Sequence, residues 1–340
     1  WPEWVLHESN IARSTASAAA SIIAGGLVAP IPAWLLLTGD SLHWAAMSAW
    51  VFSVSFLGIW VAWFVRPAMI GSSGLAFPAG VATAETMRDL FAEGREALLR
   101  FRALLASLVL AATLKLIDAF AWTIPRWSPT GRLSQLTFAV DPSLLLLGFG
   151  AIVGVRAGLS LLLGAVIAWG MVAPLLLARG LVTLPADAPG NAFQPLVEWL
   201  IWPGVALMVS AGITAFAGRL RGLRLAGAAG GMAPLAGLGL AAALAVLAQV
   251  LLFDVHWAAA LLAVPVAFML AVVAARVAGE TGIPPIGAIG KVSQLTFGLV
   301  APGQAVTNLM TANVAGGAAG QCADLLNDFR AGGLVGATPW

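Results

Sequence analysis

Trp257-Ala258-Ala259-Ala260-Leu261-Leu262-Ala263-Val264-Pro265-Val266-Ala267-Phe268-Met269-Leu270-Ala271-Val272-Val273-Ala274-Ala275 decides the class of fold. It is nineteen residues long and holds no charged side chain. A helix needs about 20 apolar residues to cross the hydrocarbon core of a bilayer. Working outward, comparable runs lie at 14–37, 44–65, 101–122, 159–177, 196–217 and 232–253. The whole chain is 60% apolar and only 9% charged, whereas a soluble domain carries about 25% charge. Such a surface needs lipid as its solvent. The 38 glycines fit this, since small residues let helices in lipid approach closely. Trp44, Trp122, Trp127, Trp199 and Trp257 mark segment edges, where indoles settle at headgroup depth. The expected fold is all-α, a polytopic transmembrane helical bundle forming a single domain over residues 1–340.

Two further apolar stretches are interrupted. Residues 133–155 are broken by Asp141-Pro142 and by glycines, and 283–320 by Pro284-Pro285 and Pro302-Gly303. Proline removes a helical hydrogen bond and clashes with the preceding turn. In lipid, such backbone survives only where it is buried in protein or lines a cavity. These two stretches are therefore expected to be broken or re-entrant segments and to carry function. Arg219, Arg221 and Arg224 place loop 218–225 in the cytoplasm. Counting back puts 180–194 outside, a second cytoplasmic loop at about 66–100, and the turn 39–43 outside.

One internal repeat is visible. Gly131-Arg132-Leu133-Ser134-Gln135-Leu136-Thr137-Phe138 returns as Gly290-Lys291-Val292-Ser293-Gln294-Leu295-Thr296-Phe297, with six of eight positions identical. An odd number of crossings between the copies, 131–138 and 290–297, predicts an inverted-topology repeat.

The carboxyl-terminal third alternates polar and small residues: Thr307-Asn308-Leu309-Met310-Thr311-Ala312-Asn313, then Ala315-Gly316-Gly317-Ala318-Ala319-Gly320-Gln321, then Asp324-Leu325-Leu326-Asn327-Asp328. In lipid each polar group must meet another helix, water or a solute. They are read either as glue between helices or as solute contacts. Lys115 and Asp118 share a helix face, which suits an ion pair or a coupling role. Glu85 reads as an interfacial acid or a proton carrier, and Lys291 as an interfacial anchor or a contact for an anionic group.

Other chemistries find little support. His7, His43 and His256 lie at predicted crossing ends without metal-ligand spacing, so no metal site and no cofactor are expected. The lone Cys322 reads as a packed thiol. Gly71-Ser72-Ser73-Gly74 fits a serine-nucleophile string but falls in a loop, with no histidine deep in a later helix to serve as base. A net charge of +2 with scattered arginines implies no nucleic-acid partner. An enzyme is not expected.

Several motifs resemble the oligopeptide transporter (OPT) family, which includes the yellow stripe-like metal-chelate carriers. Glu8-Ser9-Asn10-Ile11 with Thr15-Ala16-Ser17-Ala18 resembles its early helix, with Ser9 where the family usually has Asn. Phe77-Pro78-Ala79-Gly80-Val81-Ala82-Thr83-Ala84-Glu85 is similar to its Phe-Pro-x-Gly-x-Ala-x-Ala-Glu run. Asp141-Pro142-Ser143-Leu144, Gly154-Val155-Arg156-Ala157, Trp202-Pro203-Gly204 and Thr281-Gly282-Ile283-Pro284-Pro285 resemble later signatures, as does the carboxyl-terminal third. The form of Ala301-Pro302-Gly303 is closer to the prokaryotic branch. Family members carry further hydrophobic segments on both sides, so the chain, which opens on Trp1, reads as an excerpt.

The resemblance implies a secondary active transporter in a bacterial inner membrane. Its cargo would be small oligopeptides or peptide-like metal chelates, taken up with protons by alternating access. A non-transporting membrane scaffold is the other reading carried forward. Substrate contacts are expected at Gln294, Thr296, Asn308, Asn313 and Gln321, with Ser134, Gln135 and Thr137 from the first repeat copy. Proton coupling is expected at Glu85, Asp118 or Asp324. The partners expected are the solute, protons and the lipid bilayer, with a homodimer left open.

Overall fold

The computed structural model describes residues 5–23, 27, 29–71, 74–91, 94–123, 127, 136, 138–140, 143–182, 193–220 and 233–338. The described residues are helical, apart from turns and one isolated bridge between Trp127 and Val140. In chain order the helices are α1 (Leu6–Ile22), α2 (Pro30–Thr38), α3 (Trp44–Arg66), α4 (Pro78–Leu90), α5 (Gly94–Leu116), α6 (Leu144–Val153) and α7 (Val155–Ala165). Then come α8 (Ala173–Ala178), α9 (Phe193–Leu220), α10 (Ala233–Phe253), α11 (Trp257–Thr281), α12 (Ile286–Val300) and α13 (Ala305–Leu334). Wider π-helical turns at Pro67–Gly71 and Ile117–Ala121 extend α3 and α5, and a third at Val166–Val172 joins α7 to α8.

Six helical stretches among the described residues are long and apolar enough to cross a membrane: Trp44–Gly71, Leu98–Ala121, Val155–Ala178, Phe193–Ala211, Pro234–Phe253 and Trp257–Thr281. The chain is a polytopic all-α membrane protein. One expected crossing differs. Residues 14–37 divide between α1 and α2, because Pro30 and Pro32 cannot continue a helix but suit the first turn of a new one. The loop residues 221–225 and 183–192, and Asp141-Pro142, lie outside the described residues, as does most of the first repeat copy. The second broken stretch is a helical hairpin: Pro285 precedes α12, and Ala301-Pro302-Gly303-Gln304 turns the chain into α13.

The chain forms two compact units, Trp1–Ala84 with Val205–Trp340, and Glu85–Gly204. In the first, α13 is the central helix, and α1, α3, α11 and α12 pack around it. Its stretch from Met310 to Ala323 is buried throughout. Alanine and glycine dominate that stretch, so neighbouring backbones come close without large side chains between them. Helices α3 and α11 start alike. His43 and His256 stand at their N-caps, and each Nδ1 accepts a backbone N–H two residues on, from Ala45 (3.4 Å) and Ala258 (3.3 Å). Gly282, at φ 83°, closes α11 by donating its N–H to the Ala278 carbonyl at 2.7 Å.

The segment before α4 docks on the far end of α11. Buried Phe77 donates its N–H to the Gly279 carbonyl at 2.8 Å while holding φ at 50°, a region a bulky side chain rarely occupies. Gly80 follows, and a Cβ on it would stand 2.5 Å from the Asn327 carbonyl oxygen. The Phe-Pro-x-Gly run is thus a clip that fixes α4 against α13.

In the second unit a small core of Leu136, Ala173, Leu176, Val182 and Leu196 gathers around α8, with Trp169 and Phe193 stacked at 5.6 Å beside it. Leu104, Leu108 and Phe120 on the α5 stretch are exposed, as suits side chains that meet lipid.

Candidate functional site

Four polar residues of α1 fall on one face. Asn10, Ser14, Ser17 and Ser21 are spaced by four, three and four residues, which returns each to nearly the same side of a helix. On α13, Gly320, Asp324, Asp328 and Gly332 recur at intervals of four. The two faces meet antiparallel. Gly320 lies beside the Ser21 carbonyl, and the Ser21 hydroxyl donates to Asp324 Oδ2 at 2.5 Å. One turn on, Arg13 Nη1 donates to Asp328 Oδ1 at 2.5 Å, and Ser17 also donates to Asp328. Gly332 then packs beside Asn10. The seam carries one cation and two carboxylates between the packed faces of α1 and α13. An ion pair in such a place resists separation, because either partner alone would be a costly buried charge.

The neighbouring hairpin supplies the rest of the polar set. On α12, Ile289, Ser293 and Phe297 form the buried face. Gln294 stands next round the helix and is exposed. Thr296 is half-buried, with its hydroxyl donating to the Val292 carbonyl at 2.9 Å. Asn308 is half-buried near Gly298. Asn313 and Gln321 are enclosed, each 2% exposed, and Gln321 lies against Gly58 of α3. Gln294 and Asn313 therefore differ in setting: one is open, the other sits inside helix packing. Ser293 Oγ and Gln321 Oε1 are buried without a hydrogen-bond partner, an arrangement that costs about 1–3 kcal/mol per group.

Glu85 is exposed on α4. Asp118 is held by Lys115, whose Nζ donates to its Oδ2 at 2.9 Å. Asp324 belongs to the α1–α13 seam. Ser134, Gln135 and Thr137 lie outside the described residues. Among the described residues no three His, Cys, Asp or Glu side chains gather as a metal site. Sequence reasoning passed over Arg13 and Ser21, and read Asp328 only as one member of the polar carboxyl-terminal run. The four-residue spacing of Asp324 and Asp328 was the signal available, and a polar stripe at helical period on α1 was its counterpart.

Six apolar crossings, with a polar, broken hairpin packed against α3 and α11 in the first unit, define a multi-pass helical membrane protein with ionisable groups in that unit's interior. The chain belongs to the OPT oligopeptide transporter family, whose sequence profile matches residues 2–229 and 230–340. Members of this family are transporters rather than enzymes. The chain is similar to the metal-nicotianamine transporter YSL2 of Arabidopsis thaliana, 28% identical over 186 residues, which cover 50% of this chain and 27% of the relative. It is similar to a Haemophilus influenzae protein named as a candidate oligopeptide transporter, 29% identical over 175 residues, covering 49% and 26%. A Saccharomyces cerevisiae protein of like name, YGL114W, is 36% identical over 77 residues, covering 22% and 11%. The matches thus span at most 27% of these relatives' length.

Proposed function

We propose that this protein is a secondary active transporter that takes up small oligopeptides or peptide-like metal chelates together with protons. It works by alternating access across the inner membrane of a bacterium. The observation that carries this reading is the make-up of α13: a broken-hairpin helix bearing Thr307, Thr311, Asn313 and Gln321, all buried, at the centre of the first unit. Half-helices that end inside a membrane domain bring backbone and amide groups to a solute near the midplane. Gln294, Thr296, Asn308, Asn313 and Gln321, with Ser134, Gln135 and Thr137, are the proposed contacts. Asn313 and Gln321 are enclosed, and Gln321 faces α3 across Gly58, so the helices around α13 would have to part to bring them to the route. Of the proposed coupling acids, Asp324 has the most suitable place, since it lies between two packed helices; Asp118 is engaged by Lys115 and Glu85 is open. The relatives' names bear on the cargo: metal–nicotianamine for the plant protein, oligopeptides for the bacterial one.

Reconstitution tests this directly. Proteoliposomes given an inward proton gradient should accumulate labelled trialanine or a zinc–nicotianamine complex above the level in empty liposomes. A proton ionophore should abolish the excess. Accumulation of neither solute, with or without the gradient, would reject the reading. Glu85→Gln that leaves uptake intact would remove that acid from the mechanism.

A further inference from the structure

We propose that Arg13 is a carboxylate-binding subsite for the transported solute, held closed by Asp328, which takes up a proton when the solute displaces it. This rests on the carrier reading above and adds the group that recognises the solute's charged end.

The argument begins with the guanidinium. It offers five N–H donors in a planar fork that matches the two oxygens of a carboxylate. Asp328 engages it only through Nη1. Nη2 turns to Asn10 Oδ1 at 3.3 Å and Ser14 Oγ at 3.2 Å. Nε is buried and has no hydrogen-bond partner. An arginine serving only to join two helices should have its buried donors filled. Here one donor, Nε, is left unfilled, so Asp328 does not use the full capacity of the guanidinium.

Access points the same way. The Arg13 side chain keeps 26% of its surface exposed, against 7% for Asp328. A ligand can reach the cation while its present partner stays enclosed. Arg330 Nε is also buried without a partner, whereas two further arginines of this unit are engaged elsewhere. Arg66 lies over the Trp63 and Phe329 rings at 5.1 and 5.2 Å, and Arg276 pairs with Glu280 at 3.2 Å.

The exchange balances. The charged groups acting on Asp328 are Arg13 from α1 and Asp324 from its own helix, with Ser17 as a neutral donor. A ligand carboxylate brings one negative charge to Arg13. One proton from solution joins an Asp328 oxygen as that oxygen leaves the guanidinium. The seam keeps its net charge, so the pair can open without stranding a cation between helices. Solute binding and proton uptake become one event.

The test uses the protein in phosphatidylcholine nanodiscs and titration calorimetry with trialanine and trialanine amide. Trialanine should bind about tenfold or more tighter than the amide. Its binding should take up about one proton, read from the dependence of the heat on buffer ionisation. Arg13→Gln should erase the preference for the free carboxylate, so that trialanine and its amide bind alike, and Arg13→Lys should restore part of it. Asp328→Asn should abolish proton uptake. Should either variant fail to fold, the unmodified protein still decides: equal affinity for the two peptides, or binding without proton uptake, overturns the assignment while the carrier reading stands. If neither peptide nor zinc–nicotianamine binds, the carrier reading itself falls. Nanodiscs containing phosphatidylglycerol provide the last arm. Loss of the carboxylate preference there would give Arg13 to a lipid headgroup and overturn the assignment to solute.

Discussion

Gly58 stands where α3 meets α13, and a Cβ there would lie 2.6 Å from Gln321 Cβ and 2.7 Å from the Ala318 carbonyl oxygen. The second distance matters more, because a backbone carbonyl inside a buried helix cannot swing aside as a side-chain tip can. Even Gly58→Ala must therefore push α3 away from α13. Overpacking of this kind costs about 1–3 kcal/mol, and Gly58→Leu should cost more. Thermal unfolding in detergent should show a lower Tm for Gly58→Ala and a still lower one for Gly58→Leu. Gly148→Ala, with nothing within 4 Å, is the control and should leave Tm unmoved. An unchanged Tm for Gly58→Ala would mean that the two helices are not packed this closely. Gly80 repeats the logic at 2.5 Å from the Asn327 carbonyl oxygen. The sequence motif containing Gly80 was conspicuous, whereas Gly58, one of 38 glycines, was not. Its role depends on a neighbour far away in the chain, and no local pattern announces that.

Helices of 20 or more apolar residues were legible because length and composition alone set them, and the crossings at 44–65, 232–253 and 257–275 lie within α3, α10 with its preceding residue, and α11. The run 14–37 looked like one crossing because Gly and Pro interrupt helix geometry without lowering apolar content. Least legible was the seam between α1 and α13. Arg13 and Asp328 are 315 residues apart, and Ser, Asn and Gly give weak amphipathic contrast. Gln294 and Thr296 were read from a motif, and only the helix phase of α12 shows which of its polar side chains point outward. The seam itself can be tested as an element. Removing one partner of a buried ion pair costs about 3–5 kcal/mol, whereas replacing both by apolar groups is often neutral. Arg13→Met and Asp328→Leu should each lower stability markedly, by somewhat less than that range because Arg13 is 26% exposed. The double variant should recover most of the loss. Strictly additive losses in the double variant would show that the two helices are not joined through this pair.

The directions of the helices give the first unit a definite polarity. Phe253, at the end of α10, meets Trp50 near the start of α3, while Gly237, at the other end of α10, meets Trp60. Hence α10 runs antiparallel to α3. The short turn 254–256 reverses the chain again, so α11 runs parallel to α3 and the His43 and His256 caps share one end. The opposite end collects Arg66 on α3, Arg276 on α11, and Arg330 on α13 near Gly80. The capped end carries Asp40 and Asp254 instead. By the bias of basic residues towards the cytoplasm, the arginine end faces inward. Cysteine labelling in intact cells reads this out, and Cys322, fully buried, should stay silent as background. Ser41→Cys and Asp254→Cys should react with a membrane-impermeant maleimide added outside. Gly74→Cys and Ile283→Cys should react only once the membrane is opened. All four positions are exposed, so lack of reaction reports sidedness rather than burial. Labelling of Ser41→Cys and Asp254→Cys from opposite sides would contradict the parallel course of α3 and α11. Labelling of both from the inside would keep that course and reverse the orientation.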